Sequence, residues 1–103
     1  MSSSNYRIEQ DFNYEGDDWW KWWIWLEGSV KDLDAVQHVI YTLHSTFRNP
    51  VQTIADRASK FKLATEGWGI FTIYATVVLK DGNQIRLTHD LHLEYSDGTK
   101  NTK

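Results

Sequence analysis

The sequence predicts an all-β domain, an immunoglobulin-like two-sheet β-sandwich. Three observations carry that expectation. Apolar residues alternate with period two along most of the chain, as in strands that bury one face. Turn-forming residues divide about seven short strands over roughly 90 patterned residues. Little of the chain reads as helix. The Cys-Trp-Cys hallmark of antibody domains is absent, so the antibody-type topology itself is not implied.

Tyr6, Ile8, Phe12 and Tyr14 alternate across a first strand that is interrupted at Gln10. A second strand runs from Trp19 to Leu26, with Trp20, Trp22, Ile24 and Leu26 on one face and Trp19, Lys21, Trp23 and Trp25 on the other. Gly28 and the polar stretch from Ser29 to Asp34 read as a turn. Val36 to Leu43 is the next strand, and Asn49-Pro50 then breaks regular structure, because a residue before proline is pushed out of the helical region. Gln52 to Lys60 reads as a long polar connection to a short strand around Phe61 and Leu63. Phe71, Ile73, Ala75, Val77 and Leu79 mark one face of a long strand. Asp81-Gly82-Asn83 is a hairpin turn, since such residues tolerate positive φ. Ile85, Leu87, Leu91 and Leu93 are the inward positions of the last strand, with Arg86, Thr88, Asp90, His92 and Glu94 outward. The expected organisation is a leader over residues 1–4, one domain over 5–95 and a flexible polar tail over 96–103.

The 103 residues allow one domain with a modest core. Cysteine is absent, which excludes disulfides, thiolate catalysis and Cys-based zinc sites and favours a reducing, cytoplasmic location. No apolar run reaches the length of a membrane span, so no membrane partner is expected. A net charge of -3 with dispersed basic residues argues against nucleic acid as a partner. Aromatic residues make up 15% of the chain, more than so small a core needs, so some rings must be exposed or line a pocket.

Two segments stand out for chemistry: Leu43-His44-Ser45-Thr46-Phe47 and Gly67-Trp68-Gly69-Ile70-Phe71. Each sets an aromatic ring beside small or hydroxylated residues, and the chain between them is short enough to bring both to one place. Two rings across a gap make a slot for a flat group, and the hydroxyl and backbone amides beside them can read its polar edge. Taken alone, Trp68 reads equally well as a packed core residue, and His44 as a structural histidine. A metal site is not expected: three-residue spacing on a strand sends His89 and His92 to opposite faces, and no third ligand accompanies them. Ser45, His44 and Asp90 do not form a catalytic triad, because neighbouring serine and histidine in one loop leave no positioned base. The chain is not expected to be an enzyme or to use a cofactor.

The order Trp22-Trp23-Ile24-Trp25-Leu26-Glu27-Gly28, then Val39 to Phe47, then Gly67 to Phe71, then His89-Asp90-Leu91 resembles the YEATS domain family over roughly Tyr14 to Tyr95. The doubled tryptophans and the Thr-Phe-x-Asn-Pro variant look most like its prokaryotic branch. The resemblance implies an immunoglobulin-fold reader whose partner is an acylated-lysine peptide or protein, of acetyl or crotonyl type. It implies that Phe47 and Trp68 sandwich the acyl-amide and that Thr46 stands where the family has a serine whose hydroxyl bonds the amide. The Trp68 backbone N–H would donate to the acyl oxygen, in a loop where Gly67 permits close approach and Gly69 completes the motif. His44 would shape the pocket and orient the hydroxyl, and Asp90 would hold a basic group of the flanking peptide. Trp19 is the nearest candidate for an aromatic at the pocket mouth, with Asp18 the alternative alignment.

Physical chemistry is compatible with that assignment. Acylation removes the lysine charge, so the side chain can enter an aromatic slot without the desolvation an ammonium demands. Aromatic contacts of about 0.5–1.5 kcal/mol each and hydrogen bonds of about 1 kcal/mol, less the cost of association, support roughly micromolar to millimolar affinity. Two alternatives remain at this level. One is a protein-interaction or sensor module of a bacterial signalling or defence protein with a repurposed pocket. The other is carbohydrate binding through a tryptophan stripe formed by Trp19, Trp23 and Trp25.

Overall fold

The computed structural model describes residues 6–102, so the expected leader lies outside the described residues. Among the described residues, seven strands form two antiparallel sheets. One sheet has the order β1-β2-β5, from β1 (Arg7–Gly16), β2 (Trp19–Glu27) and β5 (Leu63–Gly67). The other has the order β4-β3-β6-β7, from β3 (Val36–Thr42), β4 (Val51–Ile54), β6 (Thr72–Leu79) and β7 (Gln84–Asp90). The predicted sandwich is therefore the observed architecture. No helix among the described residues is long and apolar enough to cross a membrane.

The alternation read from the sequence becomes the core. Trp20, Trp22, Ile24 and Leu26 are buried along the inward face of β2, opposite Val39 and Tyr41 of β3 and Ile73, Ala75 and Val77 of β6. Such rings and branched side chains dominate the burial that holds the two sheets together. The Tyr41 hydroxyl, wholly enclosed, donates to the Phe61 carbonyl at 2.7 Å, and burial pushes its pKa far up. Asp17 and Asp18 both take positive φ in the tight turn joining β1 to β2, the left-handed geometry that two-residue hairpins need.

Four segments differ from the sequence expectation, each for an identifiable reason. Gln10 does not interrupt β1; the strand runs through it, pairing Gln10 with Ile24. Its side-chain amide donates to the His92 carbonyl and accepts from the His92 N–H at 2.8 Å, so a polar residue on the inward face ties β1 to the chain that follows β7. The turn after Gly28 contains a short helix, α1 (Val30–Asp34), capped by Ser29 Oγ and anchored by buried Leu33. Part of the expected polar connection belongs to β4, where Gln52 and Thr53 lie between Val51 and Ile54 and the strand pairs with β3 at the sheet edge. Residues 96–102, expected to be a polar tail, turn back on the sheet. The Tyr95 N–H donates to the Thr99 carbonyl at 2.7 Å, the Asn101 N–H donates to the Leu93 carbonyl at 2.9 Å, and the Asn101 side chain is buried.

His89 gives the fold a pH dependence. It lies on the inward side of β7, where its Nε2 meets Gln10 Oε1 at 2.7 Å. Burial lowers its pKa from the ordinary 6.5, against smaller upward pulls from Asp90 and Glu9. The unfolded chain thus binds this proton more readily than the folded one. His89 costs nothing above about pH 6.5, and stability falls as the pH drops below that value toward the lowered folded pKa. Thermal melts from about pH 7 down to about pH 5 are expected to show a falling Tm, with a shallower slope in His89→Gln. An equal slope in both proteins would exclude His89 as the cause.

Candidate functional site

Both loops singled out by the sequence lie at one end of the sandwich. The first, between β3 and β4, is held as a hairpin loop: the Leu43 N–H donates to the Pro50 carbonyl at 2.7 Å, next to the Thr42–Val51 pair that starts the β3–β4 ladder. Asn49-Pro50 therefore marks the return of the chain into β4. Inside the loop a tight turn is closed by the Phe47 N–H donating to the His44 carbonyl at 3.0 Å. The second loop, 68–71, crosses from β5 in one sheet to β6 in the other.

A cavity of about 380 Å³ opens between these loops, within the range of small-molecule sites. Of the sequence candidates, His44, Thr46, Phe47, Gly67, Trp68, Gly69 and Trp19 line it. Asp90 does not: its carboxylate accepts a hydrogen bond from the Thr72 hydroxyl at 2.8 Å across β6 and β7. Asp18 is also elsewhere, accepting from the Tyr95 hydroxyl at 2.7 Å. Trp19 is oriented toward the cavity by its indole N–H, which donates to Glu66 Oε1 at 2.7 Å.

The lining is aromatic below and polar at one edge. Phe47 is half-buried, with its ring 5.3 Å from Phe71 and 6.2 Å from Trp22, centroid to centroid. Trp68 is 55% exposed, which leaves a large ring with little packing of its own. His44 and Thr46 form a local unit: the Thr46 N–H donates to His44 Nδ1 at 3.2 Å, and Thr46 Oγ1 lies 2.9 Å from the same nitrogen. In the tautomer that carries its proton on Nε2, Nδ1 accepts from Thr46, and the lone pairs of Oγ1 are then left to accept from a ligand N–H.

The sequence analysis did not single out Arg48, Glu66, Ile70 and Phe71 as site residues, yet all four line the cavity. Phe71 was within reach, since it closes the second motif. Arg48 and Glu66 place opposite charges on the lining, so the cavity is not a simple anionic trap for a cation.

Asn101 is a further supporting residue. Its buried side-chain amide donates to the Trp68 carbonyl at 2.8 Å, fixing the peptide that carries the exposed ring. Asn101→Ala is expected to speed amide hydrogen exchange in residues 68–70 and to weaken ligand binding about threefold to tenfold, the loss of one buried hydrogen bond. Unchanged exchange would mean that the loop is held without Asn101.

The tryptophan stripe on the outer face of β2 is divided. Trp19 belongs to the cavity. Trp23 and Trp25 are half-buried; the Lys62 ammonium sits 5.4 Å from the Trp23 ring centre, and the Trp25 N–H donates to Glu27 at 3.0 Å.

Comparison with known proteins gives this geometry a context. A family model for the prokaryotic YEATS domain matches residues 20–92. Transcription initiation factor TFIID subunit 14 of Schizosaccharomyces pombe is 36% identical over 69 residues, which cover 66% of this chain and 28% of that protein. The chain thus spans little more than a quarter of that relative's length. Among solved structures, a Yaf9 YEATS domain bound to an acetylated histone H3 superposes with a TM-score of 0.68 at 21% identity, over 92% of this chain and 74% of the other. Yeast Yaf9 itself gives 0.67 at 23% identity, over 88% and 66%. A Yaf9 YEATS domain recognising a succinylated histone H3 peptide gives 0.64 at 21% identity, over 92% and 72%. At these identities the likeness shows a common immunoglobulin-like fold.

Proposed function

The chain belongs to the prokaryotic YEATS domain family, and from that premise we propose that it is a non-catalytic module, acting in the cytoplasm, that reads acylated lysine in the cavity between the Phe47 and Trp68 loops. The observation that carries this reading is the convergence of Phe47, Trp68, Thr46 and His44 on one cavity. Two rings supply walls for a flat amide. With the His44 proton on Nε2, Thr46 Oγ1 supplies an acceptor suited to the amide N–H of an acyl-lysine. The Trp68 backbone N–H is assigned to the acyl oxygen.

An unmodified lysine fits less well. Its ammonium would have to shed water to lie between the rings, and Glu66, the carboxylate in the lining, already accepts from Trp19 and is offset by Arg48. The acylated histone H3 peptides recognised by the Yaf9 structures support the same class of ligand. Asp90 remains the proposed contact for a basic residue flanking the modified lysine, outside the cavity. A fold with a repurposed pocket would be expected to have it plugged or collapsed, whereas this cavity is open.

The test is a titration followed by NMR. Acetyl- and crotonyl-lysine peptides are expected to shift resonances of residues 44–48 and 66–71, with micromolar to millimolar affinity. The unmodified peptide is expected to leave them in place. Equal shifts with modified and unmodified peptides would remove acyl recognition as the function.

A further inference from the structure

A second cavity lies beside the first. It measures about 250 Å³ and is bordered by Phe47, Arg48 and Asn49 of the first loop, Gln52 of β4, and Ala64 and Thr65 of β5. Phe47 and Arg48 also line the first cavity, so the two are neighbours across those side chains. Their charges differ. Glu66 accompanies Arg48 in the first lining, whereas Arg48 is the only charged residue in the second. The Arg48 side chain is exposed and makes no ion pair or hydrogen bond among the described residues. The Gln52 side-chain amide donates to the Asn49 carbonyl at 2.6 Å, which ties the loop to β4 on this side.

Strand β5 connects the two cavities. Among the described residues it pairs with β2 alone, so its other edge is open. An open edge presents backbone groups to which an extended peptide can add as a further strand. Leu63, Thr65 and Gly67 are the register partners of buried Ile24, Trp22 and Trp20, and therefore share the inward face. Of these, Gly67 lines the first cavity and Thr65 the second. A peptide beside this edge follows the same rise of about 3.3 Å per residue, with every second side chain on one face. A residue that sends its side chain in beside Gly67 thus has, two positions along, a neighbour pointing in beside Thr65.

We propose that the second cavity is a subsite for an acidic side chain two residues from the acyl-lysine, so that the module selects an acyl-lysine by its acidic flank. This rests on the acyl-lysine reading of the first cavity. The Arg48 guanidinium offers a planar fork of donors that matches a carboxylate. No carboxylate of the protein lines the second cavity, so an incoming one meets a cation without a competing anion. A lysine at that position would be repelled. The chain carries a net charge of -3, so its overall field does not attract an acidic peptide and the preference must come from Arg48 locally. Asp90, on β7 at the far edge of the four-stranded sheet, borders neither cavity, which leaves its proposed basic contact to the other flank of the peptide.

The test uses acetyl-lysine peptides with Glu, Gln or Lys two residues before the modified lysine, a second set with the substitution two residues after it, and protein labelled with ¹⁵N. In one of the two sets the Glu peptide is expected to bind about threefold to fivefold more tightly than the Gln peptide, the scale of an exposed ion pair, with the Lys peptide weakest. That Glu peptide should also move the Arg48 Nε–H resonance and the amides of residues 63–65. In Arg48→Gln the Glu-to-Gln ratio should fall to about one, and in Arg48→Glu the order should reverse. Equal affinity for Glu and Gln peptides in both sets, or a ratio unchanged in Arg48→Gln, would overturn the subsite and leave the acyl-lysine reading standing. An equal gain from Glu placed one residue from the acetyl-lysine, where an extended chain points it to the opposite face, would overturn it as well. Failure of every acetylated peptide to bind would overturn both readings.

Discussion

Replacing Trp68 by alanine is expected to weaken acyl-lysine binding by about tenfold or more while leaving the fold in place. The two halves of this expectation have different origins. Trp68 is 55% exposed, and its carbonyl, not its ring, is tied to the rest of the protein through Asn101. Removing an exposed ring therefore withdraws little core packing, and surface substitutions of this kind usually change stability by about 0.5 kcal/mol or less. The ring is nevertheless a proposed wall of the slot. Losing its contact area and its stacking with the amide corresponds to about 1.4 kcal/mol or more of binding, which is tenfold. Calorimetric titration beside a thermal melt checks both halves. Unchanged affinity would take Trp68 out of the site, and a large drop in Tm would show that the ring is structural.

The largest effect on stability is expected from Trp20→Ala. The ring is fully buried and packs against Tyr14 and Tyr95 at 4.9 Å in each case, with its N–H bonded to the Glu94 carbonyl. Truncation loses that burial, leaves a cavity and orphans a carbonyl, for about 3–5 kcal/mol. Domains of this kind are stable by only about 5–15 kcal/mol. Urea denaturation should show a much lower midpoint, or a protein already partly unfolded without denaturant. A loss below about 1 kcal/mol would mean that the Tyr14–Trp20–Tyr95 cluster does not anchor the returning chain, 96–102, to the sandwich.

The strongest sequence signals were those with a simple period. Alternation gave β2 and β6 within a residue or so, because every inward position there is apolar and meets the opposite sheet. It failed where burial and polarity part company. The edge strand β4 has only Val51 and Ile54 to mark it and shows one hydrogen-bonded side, so its polar residues resemble a loop. Gln10 looked like a break because an inward amide is uncommon; its meaning depends on the backbone at His92, far along the chain. The same holds for Asn101, whose role rests on the Trp68 carbonyl 33 residues away.

For the candidate site, the two loop motifs were legible because their residues are adjacent in sequence. Arg48 and Glu66 were not, since an exposed charge beside a motif has no distinguishing pattern until the cavity wall is seen.

The most direct measurement of the central claim is a set of intermolecular NOEs between a crotonyl-lysine peptide and the protein. The acyl protons should show contacts to the ring protons of both Phe47 and Trp68, and the lysine amide proton should be protected from exchange by Thr46. Contacts to neither ring, or to the Trp23 and Trp25 face instead, would contradict the assignment of the slot.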